Sequence, residues 1–371
     1  MLDASSTAFV SQSQEFLEQA LADTGVARLS ELPAIRERLP IALMPILIED
    51  YRKLTDDERR AVSRAYHGEF GVAYCIVLNP NDPPEKTHPL LDLSAALASD
   101  LGLHHPLSHP MEGHPEAVSR FGQPDGTLKI YDLTTKDSQV GYREQAETSE
   151  MFSAHNDGLG YGGAVQSVAF YLDSAPLWGG FTYFQNIVRL SLDLASDDPE
   201  AFRALFIPDA IQAIRPRGKG AIKVISPVLY LNTARRPQCF LRVTTGEYEV
   251  SWKAGFAALD RARQFIESHA HPFSAGSTFV HFSSKGHCCF LRNEAIVHGR
   301  TPFRDDYASG RRRVLARKWF MRDKKDAVYK HVPGMEIARE YADLFPDQFG
   351  VDVLAGEWNY NKDLDKNIRI R

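Results

Sequence analysis

Apolar positions along the chain change their period twice. Phe9, Phe16, Leu17 and Leu21 recur at helical spacing after a polar start at Ser5, Ser6 and Thr7, which predicts an opening helix. The stretch from Leu43 to His67 reads as a second helical region, with Thr55 and Glu58 spaced as a capping box. A β-rich run, Gly71–Pro80, follows and closes in a turn cluster of Asn, Asp and Pro. From about Leu128 short β-type runs alternate with Gly, Pro, Asn and Asp, predicting strands over 165–172, 181–188, 221–232, 248–252, 277–283 and 312–320. Helical interruptions are predicted over 197–206 and 257–270, and a tail helix near 335–345. The pattern is mainly β with helical additions, either a β-sandwich or a jelly-roll barrel. No repeat or linker divides it. One domain over 1–371 is expected, with 1–70 as a helical buttress, about 128–320 as barrel core and 321–371 as a C-terminal extension.

Charge and cysteine usage remove several functional classes. With 43 Lys+Arg against 48 Asp+Glu the formal charge is −5, so no basic field for nucleic acid or anionic membrane is expected. Four cysteines without CxxC spacing make no disulfide framework, and the adjacent Cys288 and Cys289 read as a buried strand feature. The longest apolar stretch, Ile41 to Ile48, is far below the roughly 18 residues of a membrane span. The N-terminal residues lack a basic-then-apolar leader. A cytoplasmic protein with reduced thiols is the resulting expectation.

Most of the 13 histidines have a plain reading. His104, His105, His109 and His114 lie in a Pro/Gly-containing stretch and read as a surface loop, while His269 and His271 close a helix where a cation suits the dipole. His281 and His287 flank strand-like residues and read as core or edge histidines. His155 differs, because Asp157 follows at the strand period and both side chains would share one face. Glycines at 158, 160, 162 and 163 permit a close or mobile backbone beside them, with Tyr161 among them as a substrate contact or packing anchor. His298, after an apolar run and before a turn, is the candidate third ligand. Two His and one carboxylate with open positions opposite form the facial triad of non-haem Fe(II) oxygenases. Beyond His298, Arg313, Leu315 and Arg317 would share one strand face, and two arginines facing a barrel interior need anionic partners or a surface salt-bridge ladder instead.

His155-x-Asp157, then Trp178-Gly-Gly-Phe-Thr182, then His298 and the Arg313-x-x-x-Arg317 pair together resemble the taurine dioxygenase superfamily of Fe(II)/2-oxoglutarate oxygenases. The HGRTPF stretch with its polar insertion looks particularly like the clavaminate synthase branch, whereas Asp157 matches the taurine type at a position where many clavaminate-like members carry Glu. The resemblance covers roughly residues 150–320. It implies a double-stranded β-helix, iron held by His155, Asp157 and His298, and the distal carboxylate of 2-oxoglutarate on Arg313 and Thr182. It further implies Arg317 at the 2-oxoglutarate or substrate carboxylate, O₂ as co-reactant, and a retained carboxylate ligand that argues against a halogenase. The expected reaction is hydroxylation, desaturation or epoxidation of a small carboxylate-bearing molecule such as a free or modified amino acid, with a sulfonate or aryloxy-alkanoate as the alternative. A Zn hydrolase or metal-dependent isomerase would use the same two His and Asp but leave the arginine strand unexplained, and a non-catalytic barrel acting as a binding or scaffold protein is the other reading.

Overall fold

The computed structural model describes residues 7–80, 88–107, 127–132, 145–159, 163–217, 220–243 and 249–322. Its helices are α1 (Thr7–Thr24), α2 (Asp56–His67), α3 (Pro89–Leu101), α4 (Ile187–Asp197), α5 (Pro199–Ala204) and α6 (Ala257–His269). Its strands are β1 (Ile41–Ala42), β2 (Ile46–Ile48), β3 (Val72–Val77), β4 (Pro106–Leu107), β5 (Leu128–Ile130), β6 (Phe152–His155), β7 (Val165–Ser174), β8 (Trp178–Gly179) and β9 (Thr182–Asn186). They continue as β10 (Ile211–Arg217), β11 (Gly220–Ser226), β12 (Leu229–Leu231), β13 (Pro237–Cys239), β14 (Glu249–Trp252), β15 (Thr278–Val280), β16 (His287–Arg292), β17 (Ile296–Arg300), β18 (Phe303–Arg304) and β19 (Val314–Met321).

Two sheets carry the architecture. One runs β1-β15-β9-β17-β6, and the other runs β2-β3-β16-β7-β19-β4 with β5 also on β19. This is the mainly β jelly-roll with helical additions that the sequence predicts. Strand alternation divides β19 between two cores. Leu315 and Trp319 join the larger cluster, while Ala316 and Phe320 join a second cluster with Ala169, Tyr171, Cys75 and Cys288 beside α2 and α3. Cys288 and Cys289 are buried on β16, the strand feature expected of them. Phe16 of α1 packs against Phe202 and Phe206 at 6.2 and 5.2 Å between ring centroids, tying the N-terminal helix to α5 and the turn after it.

Local chemistry explains where the elements begin and end. Thr55 and Glu58 form the predicted capping box, and α2 starts there. The residues before it are not helical: Ile46–Ile48 pair in parallel with β3. Pro45 has no N–H for a helix, and the β-branched residues that follow suit a sheet edge. The β-run predicted to reach 188 stops at Asn186, whose side chain accepts the Arg189 N–H and caps α4. Helix α3, capped by His88 and opened by Pro89, carries no expectation from the sequence reading. The larger sheet also draws on β2 and β3, so the barrel begins well before residue 128. The expected helix near 335–345 lies outside the described residues.

Candidate metal centre and anion pocket

Strand pairing brings the triad together. His298 on β17 stands directly opposite His155 on β6, and their rings lie 4.5 Å apart. Gly299 is required beside it, because a Cβ there would fall 2.3 Å from the Tyr183 hydroxyl and 2.5 Å from the Phe152 carbonyl. Asp157 arrives differently from the sequence expectation. Strand β6 ends at His155, and Asp157 lies in the turn beyond it.

Two buried asparagines hold that turn. Asn156 donates to the carbonyls of Asn293 (2.6 Å) and Ile296 (3.1 Å) and accepts from the Leu241 N–H (2.8 Å). Asn293 accepts the Asp157 N–H at 2.7 Å and donates to the Asp157 and Val165 carbonyls at 3.0 and 2.9 Å. The Asp157 backbone is therefore clamped from both sides by one amide. Asn156 spends its side chain on these backbone contacts, a role as an anchor that was not visible in the sequence.

Ligand atoms of His155, Asp157 and His298 lie within 4.8 Å of one another, and all three residues are buried. Among the described residues this is the one His/Cys/Asp/Glu group that could hold a metal ion. His155 Nδ1 faces the Ser153 carbonyl at 2.8 Å, so in the neutral ring Nδ1–H donates there and Nε2 keeps its lone pair. That nitrogen lies 3.4 Å from Asp157 Oδ1 and makes no hydrogen bond. His298 Nδ1 is likewise buried without a partner. Burial, reinforced by His155, pushes the His298 pKa down to about 3, so the ring is neutral at neutral pH and one of its nitrogens keeps a free lone pair. Burial alone would raise the Asp157 carboxyl, but the Arg317 guanidinium opposes it most strongly, and the carboxyl is held well below the usual carboxylate range. Lone pairs facing a carboxylate with no proton between them are what a divalent cation resolves, and a two-nitrogen, one-oxygen donor set suits iron(II).

Across the interior, β19 supplies Arg317, and the residue just before the strand is Arg313. A pocket of ≈ 400 Å³, its mouth included, is lined by His298, Phe152, Phe170, Thr182, Arg300, Arg313, Leu315 and Arg317 among others. Arg313, Leu315 and Arg317 thus line one pocket, as expected, although the strand begins only at Val314 and its register shifts between Val314 and Leu315. The two arginines differ in their partners. Arg317 Nη1 reaches Asp157 Oδ2 at 3.1 Å and Oδ1 at 3.3 Å. Arg313 is 2% exposed and stacks over Phe303 at 5.3 Å, with its Nε buried and unpartnered. Asp305 accepts only its backbone N–H, at 2.8 Å. Burial lowers the Arg313 pKa to about 10, with Asp305 opposing the shift.

Arg300 was within the quoted HGRTPF stretch but had no predicted role. It donates to the Thr148 and Glu150 carbonyls at 2.6 Å each, pinning the segment before β6 against the pocket. His281 stacks on Phe181 at 4.4 Å and His287 bonds the Tyr74 hydroxyl at 2.6 Å, the plain readings expected of them. Tyr161, His109 and His114 lie outside the described residues.

The profile of the "Taurine catabolism dioxygenase TauD, TfdA family" matches residues 82–319. The chain belongs to this family. It is an Fe(II)/2-oxoglutarate-dependent dioxygenase, with 2-oxoglutarate and O₂ as co-reactants. No curated protein sequence matches it significantly. Among solved structures it is similar to an asparagine oxygenase in complex with Fe(II), 2S,3S-3-hydroxyasparagine and succinate, at 17% identity and a TM-score of 0.51, covering 85% of this chain and 92% of that one. It is also similar to the non-heme iron oxygenase OrfP in complex with Fe, at 16% identity and a TM-score of 0.51, covering 86% and 94%. The OrfP complex with Fe, succinate and (3S)-hydroxy-L-Arg gives 15%, 0.50, 85% and 93%. At these identities the TauD/TfdA member shares their fold. Among its described residues no helix is long and apolar enough to cross a membrane.

Proposed function

We propose that this dioxygenase hydroxylates a small, carboxylate-bearing substrate, a free or modified amino acid, with desaturation or epoxidation as variants of the same chemistry. His155, Asp157 and His298 are the residues that would hold the iron, and the observation carrying the reading is Arg313. It is a buried guanidinium with no carboxylate at salt-bridge distance among the described residues, in the pocket that His298 borders. An orphan buried cation is costly, and the far carboxylate of 2-oxoglutarate is the anion that resolves it, with Thr182 lining the same pocket.

Iron(II), 2-oxoglutarate and O₂ together supply oxidation of an unactivated C–H bond, with 2-oxoglutarate leaving as succinate and CO₂. The protein's own contribution is positioning. Arg313 and Thr182 orient the cosubstrate, and Arg317 contacts a carboxylate at the metal end while holding Asp157 through one nitrogen. Phe152 stacks on His155 at 4.1 Å and Phe170 packs against His298 at 5.3 Å, which excludes water from both imidazoles.

The amino-acid preference is supported by the fold neighbours, whose complexes contain hydroxylated asparagine and arginine. The family profile, described by taurine catabolism, favours a sulfonate as the second reading. A screen of amino acids, sulfonates and aryloxy-alkanoates for succinate release above the uncoupled rate separates the two. Release with amino acids alone supports the first reading. Release confined to sulfonates or aryloxy-alkanoates overturns it.

A further inference from the structure

The Asp157 carboxylate presents two chemically different oxygens, and β19 makes the difference. Oδ1 lies on the His155 side, 3.4 Å from Nε2. Oδ2 accepts the indole N–H of Trp319 at 2.8 Å and is the oxygen nearer Arg317 Nη1, at 3.1 Å against 3.3 Å for Oδ1. Trp319 stands two residues beyond Arg317 on the same strand face, is 8% exposed, and has the Arg317 guanidinium 4.6 Å over its ring. The Asp157 backbone is already clamped by Asn293, so rotation of its own side chain is the freedom left, and that rotation decides which oxygens face the imidazoles.

We propose that Trp319 is a positioning residue that reserves Oδ2, so that Asp157 offers a metal only Oδ1. The inference rests on the reading of His155, Asp157 and His298 as the iron ligands. Its consequence is a matter of coordination count. A carboxylate free to turn can bind through both oxygens, as carboxylates do at hard cations, and would then occupy a position that a bidentate cosubstrate and O₂ require. An indole N–H is suited to the task because it is a rigid donor with no acceptor character, so it cannot become a ligand itself. Arg317 packs over the ring and reaches both oxygens, Oδ2 at the shorter distance. Outer hydrogen bonds of this kind orient metal ligands, and their loss typically costs about 10–100-fold in metal affinity.

The test is anaerobic titration of the full chain with Co(II), read by calorimetry and by the visible d–d spectrum, before and after adding 2-oxoglutarate. Trp319→Phe keeps ring bulk and removes the N–H. It is expected to weaken Co(II) binding by about 10–100-fold and to change the d–d spectrum, while Trp319→Gln, which keeps an N–H donor, recovers part of both. Binding of Co(II) should also quench indole emission in the wild type, and Trp319→Phe should remove most of that quenching although the other three tryptophans remain. Asp157→Ala separates the two levels of the argument. If it leaves Co(II) affinity unchanged, the ligand reading fails. If it abolishes binding while Trp319→Phe matches the wild type in affinity and spectrum, the Trp319 proposal alone fails. Should Trp319→Phe melt early without metal, an unquenched indole signal in the wild type still overturns the proposal.

Discussion

Arg317 and Arg313 lie four residues apart and line the same pocket, yet their surroundings are opposite. At the Arg317 end, Asp157, Trp319, Asn293 and the guanidinium satisfy one another with little left over. At the Arg313 end, the guanidinium has Phe303 for packing and no carboxylate at salt-bridge distance among the described residues. A satisfied buried network fixes one geometry, whereas an unsatisfied buried charge awaits a ligand. On the proposed function, the first end would hold a metal ligand still and the second would receive an anion.

Substitutions that remove each charge should therefore have opposite effects on the metal-free protein. Arg317→Met leaves the Asp157 carboxylate buried without its main cation and should destabilise the fold by about 3–5 kcal/mol, measured by urea unfolding. Arg313→Met removes an unpaired charge and should leave metal-free stability unchanged or raised. The same variant should cost about 2–5 kcal/mol of 2-oxoglutarate binding with Co(II) affinity preserved, which calorimetry would read directly. Equal destabilisation by the two variants would erase the distinction between the ends.

Asn293→Ala leaves the buried Asp157 N–H without an acceptor and should cost about 1–3 kcal/mol of stability, with weaker Co(II) binding than the wild type. The smallest expected effect is at Thr182. Thr182→Val keeps the shape and removes the hydroxyl, and should weaken 2-oxoglutarate by about 0.5–1.5 kcal/mol without touching Co(II) affinity. A Thr182→Val effect on metal rather than on 2-oxoglutarate would place Thr182 at the wrong end.

What the sequence revealed depended on whether spacing alone determines geometry. Alternation predicted that Arg313, Leu315 and Arg317 face one pocket, and they do, although β19 sets only Leu315 and Arg317 while Arg313 precedes the strand and is separated from them by a register shift at Val314/Leu315. His155 and Asp157 were found by the same rule for a reason that only partly holds. The strand ends at His155, and Asp157 is brought round by Asn156 and Asn293, side chains that read as ordinary turn residues until they are seen buried. Trp319 was invisible as a site residue. An aromatic late in an apolar strand reads as core, and its partner lies far away in the chain. Residues 43–48 failed for a related reason, since a short apolar run becomes strand or helix according to the sheet edge it meets.

The central claim is that the His155–Asp157–His298 centre and the Arg313 pocket together hold iron(II) and 2-oxoglutarate. An anaerobic titration of the iron(II)-loaded protein with 2-oxoglutarate tests it most directly, read as visible charge-transfer absorption in the wild type, His155→Ala and Arg313→Met. The expected result is a weak band in the wild type, no band in His155→Ala, and a band in Arg313→Met that develops only at much higher 2-oxoglutarate. Intact iron binding with no band in the wild type, or a wild-type band in His155→Ala, would contradict the account.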